Sequence, residues 1–387
     1  LKMQIKHLNL INFRNYESVD ISFKPGINLL FGNNGEGKTS LVEAIIYSSS
    51  LTGPRFGGYQ TMIKTGTDKA IVRSVAKYLD REYVIELELN QSEKNRAKIN
   101  HGDFTNARSV LGYIQTVHFA PQDNRIVQDD PLERRWFMDE LIKQSSPRFV
   151  GIFADYDRAL KQRNSLLKNL RAHQSSSMLE TLSAWNDSLV KLGAQIIAKR
   201  YELALKLEPQ LQKIYQKISD DPRVATVTSL SSVFGDVEKN DEDSKEVKTT
   251  NVAEIEKLFA EKLASLRSKE IERGYTLAGP HRDELKLMLG EFPTKGYTSY
   301  GETWLFAVSL KLACAEVLRS ESQSGDPVLI LDDVFSSLDD DRLQRLIDLI
   351  SDYEQVIITD AIRGKRPLFE KVTRFELRDG KVRELND

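Results

Sequence analysis

A glycine-rich segment near the start of the chain carries residues that could bind phosphate. Residues 32–39 read Gly-Asn-Asn-Gly-Glu-Gly-Lys-Thr, which matches the P-loop pattern. Glycines let backbone N–H groups turn toward phosphates, Lys38 would pair with the β- and γ-phosphates of ATP, and Thr39 would supply a hydroxyl to Mg²⁺. A glycine-rich connecting loop is the alternative, but a strand pattern precedes the segment and a helix pattern follows it. The predicted nucleotide-binding residues are Asn33, Asn34, Gly35, Glu36, Gly37, Lys38, Thr39 and Ser40.

A buried-strand pattern that ends in two carboxylates lies near the other end of the chain. The apolar run 328–331 is followed by Asp332 and Asp333. Phosphoryl transfer needs one group that holds the Mg²⁺ water shell and another that polarises the attacking water, so we assign Asp332 to the metal and Asp333, with Lys38, to catalysis. Such a pair is also common in helix caps and turns. In ABC-type ATPases, however, the strand that ends in these carboxylates is called Walker B, and a segment called the D-loop follows it. Residues 336–339 follow Asp332 and Asp333 in the same way. The predicted D-loop residues are Ser337 and Asp339.

A third segment, Ser299-Tyr300-Gly301-Glu302, precedes an apolar helix pattern. A serine hydroxyl and free N–H groups at a helix start can bind phosphate. Alone, the segment is an N-cap followed by an acidic first turn, but its position upstream of Walker B makes it resemble the ABC signature. Signature residues in that class complete the nucleotide site of the opposite subunit. Ser299, Gly301 and Glu302 therefore predict an ATP-dependent homodimer.

Two further positions leave alternatives open. Gln122 follows Pro121 after a strand pattern, where it is a candidate Q-loop residue and metal ligand, or else a polar surface residue. Thr359-Asp360 stands where ABC ATPases carry a switch histidine after the last core strand. The residue that senses the γ-phosphate is therefore left unassigned.

Strand and helix patterns place the candidate segments at both ends of the chain. Periodicity indicates strands before and after the P-loop, a helix beginning near Lys38, and two buried strands that end near Asp332 and Thr359. A C-terminal hairpin turns at Asp379-Gly380. Strands are predicted over residues 3–10, 27–31, 83–89, 114–119, 284–289, 328–331, 355–359, 374–377 and 381–385, and helices over 302–319 and 339–351.

Between these halves, from about residue 132 to residue 274, the pattern changes to helix. Leu182 and Leu189 belong to a heptad-like seam, and Pro209 predicts that the long helix kinks or ends near Glu208. The predicted fold class is α/β, with an ABC/SMC-type P-loop ATPase head split by a helical arm domain. The predicted domains are 1–130 (first part of the head, with Walker A), 131–276 (arm) and 277–387 (second part of the head, with signature, Walker B and D-loop).

Composition and charge narrow the class of protein. A hydrophobic content of 40% and a charged content of 29% are typical of a globular protein. No apolar run approaches the roughly 20 residues that cross a bilayer, and the first residues alternate as in a strand, so we expect a cytoplasmic protein with no membrane association. The single cysteine, Cys314, excludes an intramolecular disulfide and a cysteine-based zinc site.

The formal net charge of −2 does not by itself indicate nucleic-acid binding. Any DNA contact must come from a local basic surface that the total conceals. Four cations lie along one predicted arm helix and could contact phosphates, although a solvated helix face explains such charges as well. These candidates are Lys161, Arg163, Lys168 and Arg171.

Six segments, spread over nearly the whole chain, resemble those of the bacterial RecF family of recombination mediators. The resemblance implies that Arg14 and Asn15 contact nucleotide, with a surface turn between strands as the alternative. One departure is Glu302-Thr303-Trp304, where many family members continue the signature with Gln-Arg. The matching segments are 12–16 (Asn-Phe-Arg-Asn-Tyr), 119–123 (Phe-Ala-Pro-Gln-Asp), 134–139 (Arg-Arg-Trp-Phe-Met-Asp), 162–164 (Gln-Arg-Asn), 279–283 (Gly-Pro-His-Arg-Asp) and 331–335 (Leu-Asp-Asp-Val-Phe).

The resemblance also implies a function and its partners. It implies binding of double-stranded DNA near single-strand/double-strand junctions and gaps, and cooperation with RecR and RecO in loading the recombinase RecA. ATP would join two subunits, and slow, DNA-stimulated hydrolysis would release them. The alternatives are another short-armed SMC-like repair ATPase and a transporter ATPase subunit, which the large arm disfavours. A P-loop small-molecule kinase has no need of signature and D-loop elements.

Overall fold

The computed structural model describes residues 3–53, 58–78, 81–173, 175–235, 246–322, 325–334, 339–360 and 372–385. The chain divides into two compact units. The head unit comprises Leu1–Asn124, Lys213–Pro222 and Ser299–Asp387, and the arm unit comprises Arg125–Gln212 and Arg223–Thr298. No helix in the described ranges is long and apolar enough to span a bilayer.

Secondary structure alternates between strands and helices in the head and is mainly helical in the arm. The strands are β1 (Gln4–Phe13), β2 (Tyr16–Ser22), β3 (Gly26–Phe31), β4 (Lys69–Tyr78), β5 (Arg81–Asn90), β6 (Arg96–Ile99), β7 (Thr105–Asn106), β8 (Thr116–Phe119), β9 (Ala225–Leu230), β10 (Glu284–Leu289), β11 (Phe292–Pro293), β12 (Val328–Asp332), β13 (Gln355–Asp360), β14 (Val372–Arg378) and β15 (Lys381–Leu385). The helices are α1 (Lys38–Ser50), α2 (Asn124–Gln128), α3 (Pro131–Ser145), α4 (Phe149–Ala172), α5 (Ser176–Ile218), α6 (Val252–Arg273), α7 (Tyr300–Glu321) and α8 (Asp340–Ile350).

A six-stranded sheet with the order β15-β14-β3-β13-β12-β8 forms the centre of the head. Apart from the β14–β15 hairpin, its strands pair in parallel. The strands β3, β12 and β13 are almost continuously buried and have apolar centres, as expected for parallel strands that are covered on both faces. Their carboxyl ends lie at one edge of the sheet, which is where open α/β sheets bind ligands.

A second, antiparallel sheet of the head has the order β2-β1-β4-β5-β6-β7. Side chains from this sheet, from α1 and from the parallel sheet share one hydrophobic core, which includes Phe13, Leu30, Ile45, Leu87 and Ile357. Burial of such side chains contributes about 1.5–3 kcal/mol each, so this core fixes α1 and the P-loop on the sheet.

The arm unit contains a small sheet as well as helices. Strand β9 lies inside the stretch expected to be helical, and it pairs antiparallel with β10, from Glu284↔Leu230 to Leu289↔Ala225. Residues 284–289 form a strand as predicted, but this strand belongs to the three-stranded sheet β11-β10-β9 and not to the head. Because β10 pairs with β9, the arm unit extends past the predicted boundary at residue 276 and ends at Thr298.

Helix α5 continues through Pro209 to Ile218, so the predicted break near Glu208 does not end it. A proline inside a helix loses one backbone hydrogen bond and costs about 3 kcal/mol. Leu207, Leu211 and Tyr215 are fully buried on both sides of the proline, and their burial offsets this cost.

Candidate nucleotide site

The P-loop connects β3 to α1 and depends on two glycines that have no room for a side chain. A Cβ atom at Gly32 would lie 2.4 Å from the carbonyl oxygen of Leu377 on β14. A Cβ atom at Gly37 would lie 2.4 Å from the hydroxyl oxygen of Tyr16, and Gly37 also has a φ of +94°. Close packing against β14 and Tyr16 therefore sets the path of the loop that leads into α1.

Lys38 lies in the first turn of α1, and its ammonium group contacts the backbone of the P-loop. Its Nζ donates hydrogen bonds to the carbonyl oxygens of Gly32, at 2.6 Å, and Asn33, at 3.0 Å. Burial lowers the pKa of Lys38, and the carboxylates of Asp333 and Asp332 act in the opposite direction. The ammonium is thus held inside the loop that would surround the phosphates.

Two of the three predicted metal ligands, Thr39 and Asp332, come together at the carboxyl ends of β3 and β12. The Oγ1 atom of Thr39 lies 3.4 Å from Oδ1 of Asp332. Thr359, at the end of β13, donates from its hydroxyl to the same Asp332 oxygen at 2.5 Å, and it accepts the backbone N–H of Asp333 at 3.0 Å. A threonine at the position of the switch histidine therefore orients both Walker B residues.

The chemistry of these ligands suits Mg²⁺. Thr39 and Asp332 supply hydroxyl and carboxylate oxygens, which hard cations prefer, and Mg²⁺ usually takes few protein ligands together with phosphate and water oxygens. Within the described ranges, no group of three or more His, Cys, Asp or Glu residues could hold a metal ion without such help. The two oxygens therefore fit a metal ion that is shared with a bound phosphate.

Asp333 has an unusual backbone conformation and a raised pKa. Its φ is +55°, in the left-handed region that is costly for a residue other than glycine. Burial raises the pKa of Asp333, and the neighbouring charges of Asp332 and Asp360 raise it further, while Lys38 opposes them. A more basic carboxylate is a better proton acceptor, so the environment of Asp333 favours the role of general base.

Arg14 and Asn15 face the same site. The Nε and Nη2 atoms of Arg14 donate to the two carboxylate oxygens of Glu43 at 2.8 Å each, and its Nη1 donates to the carbonyl oxygen of Thr61 at 3.0 Å. The hydroxyl of Ser40 donates to Oδ1 of Asn15 at 3.0 Å. Glu43 and Thr61 were not predicted as site residues. Glu43 lies four residues after Thr39 and hence on the same face of α1, which was the available signal.

A cleft of about 620 Å³ in the head unit collects most of the predicted residues. Its volume lies within the range of small-molecule sites. Besides Glu43, Thr61, Ile63, Thr65 and Thr359, it is lined by the predicted residues Arg14, Asn15, Asn34, Gly35, Gly37, Lys38, Thr39, Ser40, Asp332 and Asp333.

Three predicted residues, Asn33, Glu36 and Gln122, are not among those that line the cleft. Asn33 contributes its carbonyl oxygen to Lys38. The Oε2 atom of Glu36 accepts the backbone N–H of Asp379 at 2.7 Å, so Glu36 ties the P-loop to the β14–β15 hairpin. Gln122 is exposed and is not among the residues that line the cleft. The structure therefore does not bring Gln122 to Thr39 and Asp332, and its surface interpretation fits better.

The signature segment begins α7 at the surface of the head. The Ser299 hydroxyl accepts the N–H of Glu302 at 3.3 Å, and Glu302 accepts the N–H of Ser299 at 2.7 Å, which makes a capping box. Ser299 is exposed, and Tyr300 is 68% exposed. None of Ser299, Gly301 and Glu302 is among the residues that line the cleft of its own chain.

The structure describes only one of the two predicted D-loop residues. Ser337 lies outside the described residues. Asp339 is the N-cap of α8, where its side chain accepts the backbone N–H of Arg342 at 2.9 Å. Its other oxygen lies 3.3 Å from the Arg342 guanidinium.

Among the arm cations, Arg163 is not available for DNA. Its guanidinium is 1% exposed and pairs at 2.6 Å with Glu270, which is 0% exposed. The spacing of α4 explains this placement, because Arg163 falls on the buried stripe that contains Tyr156, Leu167 and Leu170. Lys161, Lys168 and Arg171 are exposed on the same helix.

Known proteins resemble the chain over its full length. Residues 4–377 match the family model "RecF/RecN/SMC N terminal domain". The DNA replication and repair protein RecF of Clavibacter sepedonicus is 40% identical over 389 residues, which cover 99% of this chain and 95% of the relative. RecF of Leifsonia xyli subsp. xyli is 43% identical over 364 residues, which cover 93% and 94%.

Solved structures agree with these sequence matches. A structure of the recombination mediator protein RecF with ATP in the RecFOR pathway has a TM-score of 0.87 at 27% identity, and the match covers 100% of this chain and 98% of that one. An Smc head domain from Pyrococcus furiosus has a TM-score of 0.55 at 17% identity, with 99% of this chain and 96% of that one covered, which supports the fold alone.

Proposed function

Because this chain belongs to the RecF family of SMC-type ATPases, we propose that it binds ATP with Mg²⁺, hydrolyses it slowly, and acts on DNA in recombinational repair. The observation that carries the proposal is that Thr39 and Thr359 both lie within hydrogen-bonding distance of the Asp332 carboxylate, in the cleft that Lys38 also lines. The name of the relatives and the ATP complex of the solved homologue support it further.

The predicted residues of the cleft have separate roles in this proposal. The backbone of the P-loop and the Lys38 ammonium bind the phosphates, and Thr39 and Asp332 would hold a metal ion, which would neutralise charge on the phosphates. Asp333 accepts a proton from the attacking water. The water oxygen forms a bond to the γ-phosphorus as the bond to the β,γ-bridging oxygen breaks, and the products are ADP and phosphate. Arg14 and Asn15 contact the nucleotide from the side of β1.

Ser299, Gly301 and Glu302 would complete the site of a second subunit. Ser299 is exposed and Gly301 and Glu302 are half-buried at the start of α7, where backbone N–H groups and a serine hydroxyl can bind the γ-phosphate held by the partner's P-loop. ATP would therefore join two heads, and hydrolysis would separate them. The D-loop residues Ser337 and Asp339 belong to the same interface in this proposal. Slow turnover that DNA accelerates fits such a release step.

DNA and the repair proteins are the proposed partners. The relatives are named for DNA replication and repair, and the solved homologue is described as a recombination mediator of the RecFOR pathway. We infer that the chain binds double-stranded DNA near single-strand/double-strand junctions and gaps, in the cytoplasm. There it would work with RecR and RecO in the loading of RecA.

Sizing by light scattering, with and without ATP and DNA, tests this function. We expect a monomer without nucleotide, a dimer with ATP, and a larger complex when duplex DNA is added. A chain that stays monomeric with ATP and whose ATPase rate does not respond to DNA would contradict the proposal. Another short-armed SMC-like repair ATPase would show the same dimer without a preference for gapped over intact duplexes.

A further inference from the structure

The last three turns of α4 carry positive charge without any acidic residue. From Lys161 to Leu179 the sequence contains no Asp or Glu. Arg163 turns inward, as described above, whereas Lys168 and Arg171 are both exposed. Because they are three positions apart on a helix, their side chains share one face.

The end of α6 lies directly beside these two cations. Gly274 ends α6 in a left-handed conformation with a φ of +76°, and the position that a Cβ would take there lies 3.4 Å from Cγ of Lys168 and 3.9 Å from Cδ of Arg171. The next residue, Tyr275, is 38% exposed, and the guanidinium carbon of Arg282 lies 5.3 Å from the centre of its ring. We call Lys168, Arg171, Tyr275 and Arg282 the basic turn surface.

A buried polar network fixes this surface from below. Arg163 donates to Glu270 at 2.6 Å, to the Thr276 hydroxyl at 2.7 Å and to Oδ1 of Asn186 at 2.8 Å. Asn164 accepts both the backbone N–H of Thr276, at 2.8 Å, and its hydroxyl, at 2.7 Å. Buried ion pairs add little net stability but hold one geometry. The network therefore locks the turn that carries Tyr275 onto the helix that carries Lys168 and Arg171.

The exposed cations of the basic turn surface differ in their acidic partners from other exposed cations of the arm unit. Arg158 pairs with Asp155 at 3.2 Å, and Lys206 pairs with Glu202. Lys168, Arg171 and Arg282 have no carboxylate within 4 Å among the residues that the structure describes. Cations held rigidly without acidic partners suit a ligand with closely spaced negative charges.

We propose that the basic turn surface contacts the phosphodiester backbone of duplex DNA, a proposal that rests on the DNA-binding function above. Lys168 and Arg171 bind phosphates directly from their exposed positions. Arg282 also binds a phosphate, and its cation–π contact with the Tyr275 ring orients it for this. Such contacts orient the protein on the duplex without reading its sequence. The triplet Gln162-Arg163-Asn164 thereby acts through Arg163 and Asn164, which position the surface and do not touch DNA.

The test is the salt dependence of duplex binding by the full-length protein with ATP and Mg²⁺. The double variant Lys168→Gln/Arg171→Gln removes two phosphate contacts, so the slope of log affinity against log salt should become shallower by about 2. The same slope predicts a loss of affinity of roughly 30-fold at ~0.15 M salt. Fluorescence anisotropy of a labelled blunt duplex measures both quantities, and the ATPase rate without DNA should remain that of the unaltered protein.

A matched control is Arg158→Gln/Lys206→Gln, which removes the same charge from paired cations of the arm unit. We expect its slope to stay close to that of the unaltered protein. The proposal is overturned if the Lys168/Arg171 variant keeps the original slope, or if the control loses as much affinity. If the unaltered protein shows no salt-dependent duplex binding, that result contradicts the proposed DNA-binding function, and with it the proposal for the basic turn surface.

Discussion

The hydroxyl of Thr39 lies 3.4 Å from a carboxylate oxygen of Asp332, although 293 positions separate the two residues in the chain. Thr39 follows β3 and Asp332 ends β12, and both strands pair with β13 in the parallel sheet. The nucleotide site therefore exists only after the two ends of the chain have formed one sheet. Thr359, the penultimate residue of the intervening strand β13, donates a hydrogen bond to Asp332 and thus joins the third strand to the site.

Loss of the P-loop cation should prevent nucleotide capture. Lys38→Ala removes the ammonium that would neutralise the β- and γ-phosphates, and it leaves the core around α1 untouched. We expect ATP affinity, measured by equilibrium binding of a fluorescent analogue, to fall severely while the far-UV circular dichroism spectrum is unchanged. Normal affinity in this folded variant would rule out the P-loop assignment.

Loss of the general base should separate binding from hydrolysis. Asp333→Asn keeps the shape of the side chain but removes the charge that would accept the water proton. We expect the hydrolysis rate to fall by about 10² to 10⁴-fold, and the ATP-bound dimer to accumulate on DNA. Phosphate release in single-turnover experiments measures the first effect, and light scattering measures the second. Unchanged hydrolysis would show that Asp333 is structural.

The hydroxyl of Thr359 should set the response to Mg²⁺. Thr359→Val keeps the volume but removes the donor to Asp332 and the acceptor for the Asp333 N–H. Leaving such groups unpaired costs about 1–3 kcal/mol, so Asp332 should hold the metal less well. We expect hydrolysis by Thr359→Val to need a higher Mg²⁺ concentration, whereas Thr359→Ser should titrate like the unaltered protein. Equal titrations for all three proteins would assign Thr359 no part in the metal site.

The sequence predicts the elements whose chemistry is local. The P-loop, Walker B and the buried strands β12 and β13 follow from residue types and spacing within short segments. Strand β9 was missed because it is short and lies within a long helical region, and its partner β10 comes more than fifty positions later. A pairing of that kind leaves no signal in a local pattern.

Two side chains show what a local sequence pattern can and cannot predict. The ion pair of Arg14 with Glu43 needs a left-handed backbone at Arg14, with a φ of +53°, which no local rule assigns to arginine. The inward position of Arg163, by contrast, could have been read from its place on the apolar stripe of α4. Its pairing with Glu270 could not have been predicted in this way, because the two residues are 107 positions apart.

His281 should make stability depend on pH. Burial lowers its pKa to about 4, and its Nδ1 lies 2.8 Å from the hydroxyl oxygen of Tyr156. The folded state thus favours neutral His281, while the unfolded chain protonates near the ordinary value of 6.5. The stability that this group contributes is present above about pH 6.5 and is lost as the pH falls toward 4, by about 3 kcal/mol in total.

His281→Gln removes this titration, so the comparison isolates it from the carboxylates. We expect the difference in unfolding free energy between the unaltered protein and the variant to shrink by about 3 kcal/mol between pH 7 and pH 4. Denaturant unfolding at a series of pH values measures it. A difference that is the same at every pH would show that His281 does not titrate differently in the folded state.

The signature segment should act only on the other subunit's nucleotide. Ser299→Arg places a bulky charge at the start of α7, outside the cleft of its own chain. We therefore expect this variant to bind ATP normally as a monomer, and neither to dimerise nor to hydrolyse ATP. Ser299→Arg protein that dimerised and hydrolysed ATP at the usual rate would reduce the segment to a helix cap.

Mixing two inactive variants tests the trans arrangement directly. An isologous dimer has two equivalent sites, each built from the P-loop of one subunit and the signature of the other. In a heterodimer of Ser299→Arg and Lys38→Ala, one site carries both defects, and the other pairs an intact P-loop with an intact signature. ATP-dependent dimerisation, followed by cross-linking or light scattering, should therefore return in part when the two are mixed, although neither variant dimerises alone. Because one intact site must then hold the dimer, a mixture that stays monomeric at high ATP and protein concentration would argue against signature residues acting in trans.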